Sequence, residues 1–393
     1  MKKKVLATLL CLAMAATMVV GCGSQAADAP AADAPAADAP AADAPAADDP
    51  AADAPAADAP AASGDLEFAI IVKSFQSSYW QAAVKGVEEQ AAKAGVKVTC
   101  QGPNAESDIA DQVNMLNAAI DQEGIDGIGL AACDQSACLE SLQKAMEKKI
   151  PVVCFDSGIP DAPAGSVCST VATDNYGAGA TAADNLYAAL KDKVVAASSS
   201  AQVRIGEVNQ EATSESITSR GLGFIDKFIE LAKADGKKVA VIGNEKYVND
   251  SSADKVAEGE ADVVIEVAVP AQTTVELCAT EAANILNKAD TIGVFGSNQV
   301  AAEGILTADE NIGKLGKDIL AAGFDAGTVI KTAIKDGKMY GAVTQSPLAM
   351  GITTVDVLVK AAKGEAVQDV PTDGYWYNAD NMEDATIAPN LYD

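Results

Sequence analysis

Residues 66–101 read LEFAIIVKSFQSSYWQAAVKGVEEQAAKAGVKVTCQ, and this stretch decides the fold. A β-branched run from Leu66 to Lys73 is followed by a short polar segment, an amphipathic helical pattern over 79–94 and a second β-branched run at 96–101. A strand, a helix and a strand in this order predict a βαβ unit with two parallel strands.

The same alternation continues along the body of the chain. Further strands are predicted at 126–132, 151–156, 167–173, 203–208, 237–243, 262–269, 291–296 and 318–324. Helical patterns lie between them at 107–122, 136–148, 174–191, 216–235, 273–288, 298–309 and 327–336. The body, residues 63–393, is too long for one ordinary core. We therefore predict an α/β protein with two doubly wound parallel-sheet lobes.

The N-terminus has the pattern of an export signal. Lys2, Lys3 and Lys4 precede an apolar run from Val5 to Val20, which is too short to span a bilayer comfortably. The run ends in Val19-Val20-Gly21-Cys22, which resembles the lipobox of bacterial lipoproteins. We therefore expect residues 1–21 to be a lipoprotein signal peptide and Cys22 to be acylated; an ordinary signal peptide with an incidental cysteine is the alternative.

Residues 26–60 repeat the pentapeptide Ala-Ala-Asp-Ala-Pro seven times, with one deviation at Asp49. A proline at every fifth position prevents a stable helix, and the repeated charge keeps the chain extended. We expect residues 22–64 to be a lipid-anchored, disordered linker.

The charge balance excludes several classes of function. The chain has 28 basic and 56 acidic residues and no histidine, and residues 63–393 hold 25 of the basic and 48 of the acidic ones. An acidic body disfavours nucleic acid, and the lack of histidine excludes Ser-His-Asp triads and imidazole-ligated zinc. No glycine-rich phosphate loop follows the first strand and no GxSxG occurs, so we expect no enzyme, no cofactor and no metal.

Polar and aromatic side chains follow the predicted strands, where open α/β sheets bind their ligands. They include Tyr79 and Trp80, Asp156, Asn298, Phe324 and Asp325, and Gln345. Carboxylates and amides hydrogen-bond hydroxyl groups, and aromatic rings pack on C–H faces, so this set indicates a site for a neutral sugar.

The body from about Leu66 to Gly374 resembles the type 1 periplasmic binding proteins of the ribose-binding kind. The matching segments are Arg220-Gly221-Leu222-Gly223-Phe224, Ala322-Gly323-Phe324-Asp325 and Gly341 to Gln345, in the family's order and approximate spacing. The resemblance implies two lobes joined by three hinge crossovers. The N-terminal lobe would comprise residues 65–173 with 346–373, and the C-terminal lobe residues 174–345 with 374–393.

The resemblance also implies a role for each candidate residue. Tyr79 and Trp80 would stack on the sugar ring, or pack at the start of the first helix instead. Asp156 and Asp325 would accept hydroxyl hydrogens, or cap the segments that follow them. Arg220 would bind ring or hydroxyl oxygens with its guanidinium, or form a surface ion pair instead. Asn298 and Gln345 would contribute amides to the site. Phe324 would be a second stacking wall or a core residue.

Three positions depart from the family pattern. Ser157 replaces an arginine, Ala131 an asparagine, and Thr273 an aromatic residue of the second lobe. These losses leave the identity of the sugar open, and a smaller second wall could admit a bulkier or substituted ligand. The sugar class itself is still expected.

The mechanism that the resemblance implies is closure of the lobes around a monosaccharide, followed by delivery to a membrane ABC permease and its ATPase. The protein would be a monomer held at the outer face of the cytoplasmic membrane by acylated Cys22. A sensory binding protein for a furanose-like signalling molecule or another polyol is the alternative. A repressor with the same body would need a basic helix-turn-helix ahead of it, and the signal and linker occupy that place.

Six cysteines lie in the body. They are Cys100, Cys133, Cys138, Cys154, Cys168 and Cys278. Several fall inside predicted buried strands, so we expect mostly free thiols, with Cys133 and Cys138 the pair to test for a disulfide.

Overall fold

The computed structural model describes residues 66–393. The expected signal peptide, acylated Cys22 and linker lie outside these residues. Among the described residues, no helix has both the length and the apolar character needed to cross a bilayer.

The first part of the body builds one lobe by strict alternation of strands and helices. Its elements in chain order are β1 (Glu67–Ile71), α1 (Ser78–Ala94), β2 (Lys97–Gln101), α2 (Ile109–Asp121), β3 (Gly127–Leu130), α3 (Leu139–Glu147), β4 (Val152–Phe155) and β5 (Ser169–Thr173).

The chain then builds a second lobe and returns to the first. The elements that follow are α4 (Asn175–Ala196), β6 (Val203–Val208), α5 (Glu215–Ala234), β7 (Val239–Gly243), α6 (Glu245–Asp250), β8 (Val263–Ala268), α7 (Val275–Leu286), β9 (Thr291–Gly296), α8 (Gln299–Ile312), β10 (Leu320–Phe324), α9 (Thr328–Lys335), β11 (Gly341–Thr344), α10 (Pro347–Ala362), β12 (Val370–Thr372) and β13 (Tyr375–Tyr377).

Each lobe contains one sheet, which confirms the predicted fold class. The first sheet has the order β12-β5-β4-β3-β1-β2 and is parallel throughout. The second has the order β13-β11-β10-β9-β6-β8-β7, and only β13 runs antiparallel to its neighbour.

Three crossovers join the lobes, because the chain changes sheets between β5 and α4, between β11 and α10, and between β12 and β13. Their side chains are linked by hydrogen bonds. Thr173 Oγ1 lies 2.9 Å from Gln345 Oε1 and 3.1 Å from Thr372 Oγ1. The residue ranges given above for the two lobes stay a prediction.

Apolar residues cover both faces of each sheet, as the near-continuous apolar strands require. In the first lobe one layer packs α1 and α10 on the sheet and the other packs α2 and α3. In the second lobe α4 and α5 cover one face, and α7, α8 and α9 cover the other.

The cysteines contribute to this packing as small apolar residues. Cys100 and Cys168 are half-buried, the other four are buried, and all six are free thiols, including Cys133 and Cys138. Burial raises the pKa of Cys100 to about 11 and that of Cys138 to about 12, so the thiolate form is disfavoured at neutral pH.

Glycines allow two helix pairs to approach closely. A Cβ atom on Gly179 of α4 would lie 2.0 Å from the carbonyl oxygen of Arg220 on α5, and one on Gly223 would lie 2.1 Å from that of Tyr176. The first lobe repeats the arrangement, because Gly86 of α1 and Gly351 of α10 meet the opposite backbone at 2.1 Å. Both pairs include a helix that directly follows a crossover.

We predict that Gly179→Ala lowers the free energy of unfolding. Alanine gains about 1 kcal/mol of helix propensity, whereas forcing two backbones apart costs about 1 to 3 kcal/mol or more. A Cβ at 2.0 Å from backbone lies at the severe end of that range, so the net loss should be about 1 to 2 kcal/mol by urea denaturation. Gly259→Ala, at an exposed glycine with open space around it, is the control. Equal stabilities of the two variants would contradict the packing argument.

A second prediction concerns Glu207, which is fully buried in β6 and accepts a hydrogen bond from Asn209 Nδ2 at 2.6 Å. Burial raises the pKa of Glu207 well above its ordinary value of 4.5. The folded state therefore keeps a proton that the unfolded state has lost, so stability falls as the pH rises above about 4.5.

Glu207→Gln should remove this loss. The thermal midpoint of the variant should approach that of the wild type near pH 4.5 and exceed it increasingly toward pH 8. The exposed Glu365→Gln serves as the control. A constant difference between Glu207→Gln and the wild type across this range would show that Glu207 does not titrate between the two states.

Candidate functional site

Seven of the eight side chains expected to contact a ligand surround one cavity between the lobes. The cavity lies at the carboxyl ends of both sheets, the ligand-binding edge of open α/β folds. These seven residues are Tyr79, Trp80, Asp156, Arg220, Asn298, Asp325 and Gln345.

Asp156 and Asp325 hold equivalent positions in the two lobes. Each directly follows a strand, and each has a left-handed backbone, with φ of 63° and 72°. Their amides stay bonded to the neighbouring strands, at 2.9 Å to Val171 O and 2.7 Å to Val343 O. Asp tolerates this conformation better than most residues, and strained backbone of this kind clusters at functional sites.

The carboxylate of Asp156 joins three side chains. Tyr79 Oη donates to Oδ1 at 2.5 Å, Lys73 Nζ lies 3.3 Å from Oδ2, and Ser216 Oγ lies 3.5 Å from the same oxygen. Burial, with the charge of Asp156, raises the pKa of Tyr79 well above its ordinary value, so the phenol stays a donor. Burial alone would lower the pKa of Lys73, but the surrounding carboxylates outweigh it and the pKa is raised.

The carboxylate of Asp325 is held from two directions. Gln345 Nε2 donates to Oδ1 at 2.7 Å, and the backbone N–H of Gln299 donates to Oδ2 at 3.0 Å. Burial raises the pKa of Asp325, although Arg220 and Gln345 oppose the shift. Through Gln345 and Thr173 this carboxylate is also connected to the crossovers. Neither Asp325 nor Asp156 caps the segment that follows it.

Arg220 is buried and fixed by three contacts. Its guanidinium donates to Ser297 O at 2.7 Å and to Asn175 Oδ1 at 2.8 Å, and its Cζ lies 3.6 Å from the centroid of the Phe324 ring. The Nε atom has no partner. Arg220 is therefore a rigid donor in the cavity and not a member of a surface ion pair.

Phe324 corrects an expectation. The fully buried ring packs with the core of the second lobe behind Arg220, and it does not line the cavity. The face of the ring packs against the guanidinium of Arg220, so Phe324 supports Arg220 and does not form a second stacking wall for a ligand. The strand-end rule located the residue correctly but could not decide which face of β10 its side chain occupies.

Sequence reasoning also missed several residues of the site. Lys73 was assigned to the first strand and given no role in the site. A charged residue at the end of an apolar run could have indicated such a role. Glu106 follows β2 and accepts from Trp80 Nε1 at 2.8 Å and from Gln210 Nε2 at 2.6 Å. Among the described residues no cluster of three potential metal ligands occurs.

The lobes are closed on each other. Lys73 and Glu106 of the first lobe bond to Ser216 and Gln210 of the second, and Ser157 Oγ accepts from the Ser216 N–H at 3.1 Å. The cavity has a volume of about 20 Å³, which is room for about one water molecule. A sugar ring needs the volume of several waters, so binding requires the lobes to separate.

The C-terminal residues bridge the two lobes beside the cavity. Tyr392 Oη accepts from the Ala326 N–H of the second lobe at 3.1 Å. The ring of Tyr392 packs edge-on against Tyr79 of the first lobe, with centroids 5.9 Å apart. Asn390 O accepts from Thr344 Oγ1 at 2.8 Å, just before the second crossover.

We predict that Tyr392→Ala shifts the protein toward an open arrangement. The variant removes the ring contact with Tyr79 and the hydrogen bond to Ala326, so small-angle scattering should give a larger radius of gyration than for the wild type. Tyr392→Phe keeps the ring and should stay close to the wild-type value. An unchanged radius for Tyr392→Ala would show that the tail does not hold the lobes together.

The chain is similar in sequence to known proteins. Residues 68–366 match the family model described as the periplasmic binding protein domain. The ribose import binding protein of Bacillus subtilis is 28% identical over 305 residues, which cover 77% of this chain and 84% of that protein. The D-allose-binding periplasmic protein of Escherichia coli is 25% identical over 317 residues, covering 78% and 87%.

Solved structures are also similar. A protein of Brachyspira murdochii, named as an ABC transporter, LacI family transcriptional regulator, has a TM-score of 0.68 and 32% identity, covering 84% of this chain and 99% of its own. An ABC transporter solute-binding protein of Agrobacterium vitis with bound D-fucose has a TM-score of 0.68 and 29% identity, covering 83% and 100%.

Proposed function

The chain belongs to the periplasmic binding protein domain family, and on that premise we propose that it captures a neutral monosaccharide ring between its lobes outside the cytoplasmic membrane and delivers it to an ABC importer. It is a binding protein and not an enzyme. Its relatives are named for ribose import and D-allose binding, and a similar structure holds D-fucose.

The observation that carries the proposal is the pair of strand-end aspartates, one from each lobe, that line one cavity with a fixed arginine and an amide. Asp156 and Asp325 supply acceptors, Arg220 supplies donors, and Gln345 supplies both. A sugar hydroxyl donates one hydrogen bond and accepts others, so it matches this mixture. Tyr79 and Trp80 add apolar ring surface at the first lobe.

Closure around the ligand follows from the position of these groups. A ligand that bonds to both lobes favours the closed form by its differential contacts alone. In the closed structure Lys73 and Tyr79 already contact Asp156, so a hydroxyl group would bond to the remaining lone pairs of the carboxylate or replace one of these internal contacts. Gln345 touches both Asp325 and the first crossover, which gives the second lobe a direct connection between ligand and hinge.

The remaining parts of the proposal concern the envelope. Export by the signal peptide, acylation of Cys22 and a monomeric body at the end of residues 22–64 would place the cavity outside the membrane within reach of a permease. Stable attachment needs more than one acyl chain, because one chain gives only marginal binding.

The test is a thermal-shift screen against neutral monosaccharides, polyols, nucleosides and amino acids, followed by titration calorimetry of each hit. A ligand that binds only the folded protein must raise the midpoint. Asp156→Ala and Asp325→Ala should each weaken binding by at least ~1.5 kcal/mol, the value of a hydrogen bond to a charged group. The exposed Asp161→Ala should bind like the wild type.

Wild-type affinity in both site variants would refute the assignment of the two aspartates. A shift with nucleosides or amino acids and none with sugars would keep the fold and overturn the proposed substrate.

A further inference from the structure

One short segment of the second lobe makes several direct contacts across the cleft. We call residues 210–216 the clasp, and they lead from β6 into the first turn of α5. Gln210 and Ser216 of the clasp bond to Glu106 and Lys73, which line the central cavity. Two further contacts of the clasp involve no side chain that lines the cavity, and they are independent of the ligand groups.

The first of these contacts caps a helix from the opposite lobe. The first N–H groups of a helix have no partner within the helix. Ser214 precedes α5, but its side chain caps no N–H of the helix and donates to Glu211 Oε1 instead. The N–H of Ser216, in the first turn, donates to Ser157 Oγ of the first lobe at 3.1 Å. The hydroxyl of Ser157 thus takes the place of an N-cap side chain.

This cap requires the serine at position 157. The family pattern has an arginine there, and a guanidinium has no acceptor atom. Ser157 is fully buried and lies outside the lining of the central cavity. Its side chain therefore contacts the opposite lobe and not the space in which a ligand would lie.

The second contact is a backbone hydrogen bond beside the cap. The N–H of Gln135 in the first lobe donates to Thr213 O in the second at 3.2 Å. Thr213 Oγ1 lies 3.1 Å from Cys133 O and 2.9 Å from Glu211 Oε2, so its one hydrogen serves either acceptor. The clasp thus joins the start of α5 to the loops that follow β3 and β4.

These contacts belong to the empty closed form. The cavity has room for about one water molecule, so a bound ring needs an arrangement of the lobes that is wider than this one. The clasp follows β6, which is three strands from β11 at the crossover edge of the sheet. Over that distance of about 14 Å, a rotation of about 5° at the crossovers moves the clasp by about 1 Å. Hydrogen bonds of 3.1 and 3.2 Å do not survive such a displacement.

We propose that the clasp holds the ligand-free protein shut and that a ligand competes with it. Ser157 is a positioning residue in this arrangement, because its hydroxyl caps α5 only while the lobes are closed. The apparent affinity for a ligand is then reduced by the small fraction of protein that is open. The inference goes beyond the proposed function, since it concerns the resting state of the empty protein, whichever ligand it takes.

Hydrogen exchange of the purified full chain without ligand tests the clasp. The N–H of Gln135 is the reporter, because its acceptor lies in the opposite lobe and is not altered by a substitution at position 157. Ser157→Ala removes the cap, and the loss of one cap typically changes an equilibrium constant by about five-fold. We expect the peptide that contains Gln135 to exchange at least three-fold faster than in the wild type, because the lobes separate more often.

Ser141→Ala is the matched control. Ser141 is also a buried serine of the first lobe, but its hydroxyl donates to Asn117 Oδ1 within the same lobe, at 3.2 Å. The control should keep wild-type exchange at Gln135 and wild-type ligand affinity. If Ser157→Ala does not fold, Ser157→Cys keeps the side-chain size with only a weak acceptor and should change both quantities in the same direction.

Titration calorimetry with D-ribose, D-allose and D-fucose separates a clasp from a merely structural contact. A packing defect weakens binding, whereas release of a contact that competes with the ligand strengthens it. Each of these sugars that binds the wild type should bind Ser157→Ala at least three-fold more tightly. The factor should be similar for all of them, because the substitution removes no contact with the ligand.

The outcomes separate the clasp from the proposed function. Wild-type exchange at Gln135 in Ser157→Ala would overturn the clasp. Unchanged or weaker sugar binding, or a factor that differs strongly between sugars, would overturn its competition with the ligand. Binding of none of the three sugars to either protein would count against the proposed function, and exchange at Gln135 would still decide whether the clasp holds the empty protein shut.

Discussion

The arrangement of the cleft depends on one backbone constraint, which is imposed twice. At the ends of β4 and β10 the chain turns through a left-handed residue while the amide of that residue stays bonded to the neighbouring strand. Both side chains line the cavity between the lobes. Asp occupies both positions because it adopts this conformation at lower cost than most residues. Two lobes with the same device therefore present two carboxylates to one cavity.

Helix contacts connect other side chains of the cavity to the crossovers. α4 and α10 each follow a crossover, and each packs backbone to backbone, across glycines, on the helix that carries other cavity residues: Arg220 on α5, or Tyr79 and Trp80 on α1. Packed interiors do not deform continuously, so a rotation at a crossover moves the whole helix pair. Lobe movement then changes the relation between the two sets of side chains without disturbing either set.

Much of the site followed from strand ends, because parallel strands bring their carboxyl ends to one edge whatever their order in the sheet. Asp156, Asp325 and Gln345 were predicted in this way and line the cavity, and their contact with a ligand stays a prediction. Phe324 was misjudged because alternation along a short, buried strand gives no polar face from which to choose a side. Glu106 and Gln299 were missed because their partners are distant in the sequence. Glu106 accepts a hydrogen bond from Gln210 of the other lobe, and the N–H of Gln299 donates to Asp325, which follows β10.

The sequence alone determined the alternation of elements, the two-lobe α/β architecture, the exclusion of histidine chemistry and the residues at the strand ends, since each depends on local pattern or composition. Tertiary structure decided what these residues do. The closeness of Lys73 and Tyr79 to Asp156, the support of Arg220 by Phe324 and the antiparallel edge strand all arise from packing between distant segments. Periodicity records which face of an element is buried, but not which partner covers it, and that choice is made only when both lobes have formed.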